Sequence, residues 1–322
     1  MLKWLFGPLP DWFQQQHPVQ RYALQPYAAS NSRSARIVRI TFSVLLLSAL
    51  VIAGYTVASH VMNNPPAGLH IAEVVFRILY YPLIALQTIT WVLALAMSIN
   101  VLDAERRRQT WDNLRATSTG ADMVVRVGWL AVLHRLRGLW LVMTAARLIL
   151  LIGVLYRLMS HRGDYLAYLT ATVQPDVPLG IALFLLVSLL VAAFILPFML
   201  LGLSTALGLW LSALFRPRAV TAIFQFILTA FYVALALILF LIVQSQAIHD
   251  MPPAQNFGLL TGYSLLVDWG ALWLDLGSTG DIWAQIPYSV LMGPILLLAV
   301  LLLAWLIDRL LKAAVHHAEI RD

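Results

Sequence analysis

The side chains able to do chemistry are few and scattered. The chain of 322 residues has no cysteine, which removes thiolate nucleophiles, disulfides and Cys-ligated metal or iron–sulfur centres. Its eight histidines do not cluster. His60, His70, His161 and His249 stand at the ends of apolar runs, and His134 sits beside Arg135. The pair His316-His317 reads as a solvated tail rather than a metal site. No H-E-x-x-H or G-x-S-x-G occurs, so the common metallopeptidase and serine-hydrolase signatures are missing. There is no G-x-x-x-x-G-K-[ST] phosphate loop either. The only lysines are Lys3 and Lys312, and neither follows a glycine. The chain is therefore not read as an enzyme. The chain cannot bind ATP through a P-loop of its own, and no cofactor of its own is expected. One charge stands apart. Arg147 lies nine residues past Gly138 in an apolar run, about 13 Å along a helix at 1.5 Å per residue. A cation at that depth is costly and faces a cavity or a partner by default. Apart from Glu73, at the outer end of its run, no acid lies inside the apolar runs, so the partner is a carbonyl, a hydroxyl, water, another subunit or a substrate anion. Arg147 is thereby a candidate for a substrate path.

The elements that must position these groups are transmembrane helices. The composition is 61% apolar and 11% charged, against roughly 25% charged in soluble domains, and the mean hydropathy is +0.82. About 20 apolar residues cross a bilayer as a helix. The sequence predicts an all-α polytopic protein with six spans: about Ile40 to His60, Ile71 to Leu102, Gly138 to Met159, one within the uncharged stretch Val177 to Phe215, Ala219 to Val243, and Ile286 to Ile307. The fourth stretch has 39 residues, too many for one straight crossing. It is either a long helix bent near Pro197 or a span with an interfacial extension. Residues 1–39 read as a cytoplasmic or interfacial segment, 40–312 as the transmembrane domain, and 313–322 as a cytoplasmic tail. Glu73 and Arg77 are spaced i, i+4 and can pair.

Lysine and arginine are distributed very unevenly. Seventeen of the 21 fall on the side shared by the N-terminus, the stretch Arg106–Arg137, the turn at Arg216 and the C-terminus. Only Arg162 lies in a loop on the other side. The positive-inside rule places both termini in the cytoplasm. It also accounts for the net charge of +6 without nucleic acid as a partner.

The most charged passage, Asp103 to Gly128, lies between two apolar runs and reads as a cytoplasmic loop. A short helix over 109–118 would put Trp111, Leu114 and Ser118 on one face, at i, i+3 and i+7. That is a polar helix with one aromatic and one aliphatic knob, suited to a groove on a cytosolic partner. The order Glu105, an arginine run through Arg108, then Gln109-Thr110-Trp111-Asp112, Leu114, Arg115 and Ala116-Thr117 resembles the cytoplasmic loop of ABC-2-type transporter permeases, E-R-x-R-G-T-W-E-L-L-x-A-T-P. Here Gln109, Asn113 and Ser118 replace that family's Gly, Leu and Pro. The resemblance implies an ABC-2 (type V exporter-like) permease fold in the plasma (inner) membrane of a prokaryote. It implies a coupling helix that docks on a cytoplasmic ABC ATPase subunit, with Glu105, Arg108, Thr110, Trp111, Asp112, Leu114, Arg115 and Thr117 as docking residues. It further implies a dimer with a second copy or a homologous permease, and export rather than import.

Residues 244–285 carry four aspartates (Asp250, Asp268, Asp275, Asp281), no lysine or arginine, and many apolar residues between them. They read as short helices dipping into the outer leaflet, and ABC-2 permeases are similar in having re-entrant outer helices at this place. Two other readings remain open at this stage. One is a non-transporting structural subunit of a larger membrane complex. The other is an ion-driven secondary transporter.

Overall fold

The computed structural model describes residues 33–61, 70–107, 120–160, 164–215, 218–245 and 251–320. Among them the chain is all-helical. The helices are α1 (Arg33–Thr56), α2 (Ile71–Arg107), α3 (Gly120–Arg135), α4 (Arg137–Ser160), α5 (Asp164–Thr170), α6 (Leu179–Leu214), α7 (Arg218–Gln244), α8 (Pro253–Leu266), α9 (Leu276–Gln285) and α10 (Met292–Ile320). Five of them are long and apolar enough to cross a membrane: α2, α4, α6, α7 and α10. The chain is a multi-pass membrane protein. The stretch expected as a first span, Ile40–His60, is helical in α1 and the π turn Val57–Val61 that follows it, but it is not among these five.

Helix α6 is the axis of the bundle. It is apolar all round and buries residues from Ala182 to Ala213; near its start one face, with Phe184, Val187 and Val191, stays exposed, and further on burial extends around the helix. Helices α2 and α10 pack along most of its length. Contact with α2 is close because position 208 has no side chain. A Cβ on Gly208 would overlap Ser98 Oγ and lie 2.8 Å from the Leu95 carbonyl. Small residues at crossings are how membrane helices approach without a hydrophobic drive between them.

The uncharged stretch from Val177 is a single helix that both contains Pro197 and overshoots the bilayer. At 1.5 Å per residue, the 36 residues of α6 span about 54 Å and the 37 of α2 about 55 Å, against a core of roughly 30 Å. The surplus lies past Gly202, towards Leu214. There Ala206, Leu209 and Ala213 pack with Ala121, Val124 and Val125 of α3 and with Leu311, Ala314 and Ala318 of α10. This second core corrects two sequence expectations. Residues 120–128 are helix, not loop, because the apolar face of α3 has the α6 extension to cover it. The segment after Lys312 is not a free tail through residue 320, because Ala314 and Ala318 are fully buried in the same cluster.

The connection between α4 and α6, which holds Arg162, contains α5, and α5 buries Leu166 and Leu169. Pro82, inside α2, leaves the Ile78 carbonyl without its i+4 amide. Helix α1 lays Gly54 on that carbonyl, where a Cβ would overlap the oxygen.

Candidate functional site

Arg147 on α4 is buried, at 1% exposure. Its guanidinium donates to the Ala193 carbonyl of α6 and, through Nη2, to the Asp268 carbonyl at 2.9 Å. The acceptor at Ala193 has a local cause. Pro197 stands four residues on and has no N–H, so the Ala193 carbonyl lacks its helical donor. Arg147 supplies the missing hydrogen bond from a neighbouring helix. Gln87 of α2 completes the site. With its amide oriented to satisfy both neighbours, its oxygen accepts from Arg147 Nη2 at 2.6 Å and its nitrogen donates to the Asp268 carbonyl at 3.1 Å. The cation is therefore met by oxygen dipoles from three different segments, and Asp268 contributes its backbone to that contact.

The Asp268 side chain does separate work. Its Oδ1 accepts from the Gly270 amide at 2.9 Å and its Oδ2 from the Leu272 amide at 2.8 Å. These bonds close a tight turn in which Trp269 (φ 52°) and Gly270 (φ 79°) are both left-handed. A glycine is needed at 270 on two counts: the positive φ, and the Ala193 Cα that would lie 3.0 Å from a Cβ. Tyr80 reaches Asp268 Oδ2 at 3.5 Å and shares a 2.6 Å hydrogen bond with Tyr263. The turn is packed by Trp269, Trp273 and Trp283, all fully buried. The Trp273 indole donates to Ser264 Oγ at 2.8 Å.

Three helices give the depth of this cluster independently. Arg147 is thirteen residues from Ser160, Ala193 fourteen from Leu179, and Gln87 sixteen from Ile71. At 1.5 Å per residue these are about 20, 21 and 24 Å from the same end of the bundle. The segment 253–291 thus folds back well inside the bundle and is pinned there by Arg147. An irregular backbone is tolerated at such depth only when protein buries its polar groups, and the carboxylate, the guanidinium and the amide do so here.

Above the clamp, towards the Ile71 end, a cavity of about 310 Å³ is lined by Tyr80, Arg77, Glu73, Asp275 and Asp281 among others. Arg77 pairs with Glu73 at 2.9 Å, as their spacing predicts. Arg157 lies 3.5 Å from Asp275, which also caps α9 by accepting from the Gly277 amide at 3.2 Å and the Ser278 hydroxyl at 2.9 Å. Tyr80 borders both this cavity and the clamp.

Of the residues singled out in the sequence, the structure brings Arg147 into a defined site. Among the residues expected to dock a partner, Glu105 falls in the last turn of α2, while Arg108, Thr110, Trp111, Asp112, Leu114, Arg115 and Thr117 lie outside the described residues, as do residues 1–32 of the N-terminal segment. Sequence reasoning left out Gln87, Tyr80, Tyr263 and Asp268 as Arg147's companions. Tyr80 and Gln87 are seven apart and so share a helix face, and Asp-Trp-Gly is a turn signal. Neither signal names the partner. Among the described residues, no group of three or more His, Asp or Glu is placed to hold a metal ion. Comparison with protein-family models, with curated proteins and with solved structures finds no match.

Proposed function

We propose that this chain is the membrane-spanning permease subunit of an ABC transporter, an exporter of the ABC-2 type, powered by a separate ATPase that docks on residues 109–118. The observation that carries the reading is the sequence Glu105-Arg-Arg-Arg-Gln-Thr-Trp-Asp-Asn-Leu-Arg-Ala-Thr117, placed at the join between two helices. Helix α2 continues without interruption to Arg107, and α3 resumes at Gly120. Both pack on the core of the bundle. A displacement applied to the twelve residues between them would pass to α2 and α3 together. This is the mechanical arrangement that an ATPase in a separate polypeptide requires. In this reading six spans cross the plasma membrane of a prokaryote and both termini are cytoplasmic. The exposed apolar side chains of α7, such as Phe226, Phe231 and Leu237, face lipid or a second permease. The polar cavity over the Arg147 clamp then opens to the outside, and Arg147 holds the re-entrant segment rather than touching substrate directly.

The test is a mild-detergent pull-down of the chain with mass spectrometry, wild type beside Trp111→Ala. The expected result is a P-loop ATPase that comes down with wild type and is lost with the variant, with ATP hydrolysis stimulated in the wild-type complex. Recovery of an ATPase by both proteins would place the docking site elsewhere. Recovery of other membrane subunits without any ATPase would replace the permease by a structural subunit. The specific observation on the side of that second reading is that the Arg147 clamp is closed, with both Nη atoms held by protein oxygens. It also predicts that charge reversal at Arg108 and Asp112 leaves the activity of the complex intact.

A further inference from the structure

At the opposite end of the bundle from the polar cavity, helix breaks off helix at Leu136, and the corner between α3 and α4 overhangs a cleft of about 550 Å³. Ligand sites occupy roughly 300–1,000 Å³. The walls are apolar: Leu133 and Trp140 on one side, Phe198, Leu201 and Ala304 on the other. The polar groups gather at one place, where Arg137 Nη1 lies 3.0 Å from His134 Nε2. Arginine can only donate, so this nitrogen accepts and the imidazole is neutral. Burial and the neighbouring Arg137 cation both lower the His134 pKa, which keeps it so. Arg137 is exposed and has no carboxylate partner among the described residues. Asp308, the acid next to Ile307 of the cleft, is taken by Lys312 at 2.6 Å. A cation without a counter-charge thus stands over an apolar slot.

The level of the cleft is also informative. Phe198 is nineteen residues from Leu179, about 29 Å along α6 at 1.5 Å per residue, which is the thickness of the hydrocarbon core. Arg137 and the flanking Trp129 and Trp140 therefore sit at the headgroup plane, where indole rings collect. Trp129 is fixed there by donating to the Gly202 carbonyl at 3.0 Å.

We propose that this cleft is a binding site for an anionic phospholipid, its phosphate on Arg137 and an acyl chain between Leu133, Trp140 and Phe198. The site lies at the α3–α4 corner, and α3 directly follows the 108–119 join, but the site does not depend on what docks there. A bound lipid would brace the α3–α4 corner against α6 and α10.

Native mass spectrometry of the full chain in mild detergent, titrated with dioleoyl-phosphatidylglycerol or dioleoyl-phosphatidylcholine, tests the site. One phosphatidylglycerol should be retained per chain at concentrations where phosphatidylcholine is not. Arg137→Ala should weaken retention roughly tenfold, the effect of losing one charge-assisted contact, and Arg137→Lys should recover part of it. Arg309→Ala, which removes an exposed cation from the same end, should change nothing, and millimolar inorganic phosphate should not displace the lipid. A photoactivatable phosphatidylglycerol on the wild-type chain should label peptides containing 129–140 and 198–201, a readout that needs no variant to fold. Equal retention of both lipids, full displacement by inorganic phosphate, an equal effect of Arg309→Ala, or labelling spread around the bundle would each overturn the assignment.

Discussion

Replacing Arg147 by leucine tests the clamp at its centre. The change removes the donor to the Ala193 carbonyl, one of the two donors to the Asp268 carbonyl, and the group facing the Gln87 oxygen. A buried acceptor left without a partner costs about 1–3 kcal/mol. In membranes the measured worth of interhelical hydrogen bonds is lower, about 0.6 kcal/mol on average, because the unfolded helices find other partners. Releasing the guanidinium from a desolvated site offsets a further part. The expected net loss is about 1–3 kcal/mol, read as reduced resistance of the purified protein to unfolding in micelles. The decisive measurement is a cycle with Pro197→Ala. Alanine restores an amide at position 197, which satisfies the Ala193 carbonyl from within α6. Arg147→Leu should then cost about 1 kcal/mol less in the Pro197→Ala background than in wild type. Additivity within roughly 0.5 kcal/mol, the margin seen for independent sites, would refute the claim that Arg147 answers the carbonyl orphaned by Pro197. A neutral Arg147→Leu would remove the clamp altogether.

Three further outcomes are expected. Gly270→Ala combines a positive φ, which costs about 1–2 kcal/mol for an L-residue, with a Cβ 3.0 Å from Ala193 Cα, and should loosen the 253–291 segment in hydrogen exchange while the ends of α7 and α10 stay protected. Gly208→Ala should lower the yield of folded protein, because its Cβ overlaps Ser98 Oγ, and Ser98→Ala should recover part of the loss. Because the chain has no cysteine, topology can be read with single introduced thiols. In intact cells an impermeant maleimide should label Asp281→Cys and leave Lys312→Cys unlabelled until the membrane is opened, and the reverse pattern would invert the orientation.

Much of the architecture was legible because bilayers make simple demands. A run of 39 uncharged residues reads as membrane helix, and Pro197 within it marked a place where that helix could bend. Arg147 announced itself too, as a charge too deep to be idle. What the sequence could not give was their meeting. Ala193 is 46 residues from Arg147 and Asp268 is 121, and backbone carbonyls carry no residue identity by which a reader could pair them. The same limit hid α3. Its apolar positions make a weak pattern alone, and they became a core only once α6 and α10 were seen to run past the bilayer and cover them. Composition, charge asymmetry and run length thus determined a multi-pass helical membrane protein and singled out the charge of Arg147. Which oxygens answer that charge, and how far the helices extend beyond the lipid, were decided by tertiary packing, because both depend on backbone groups and surfaces that exist only when distant segments are side by side.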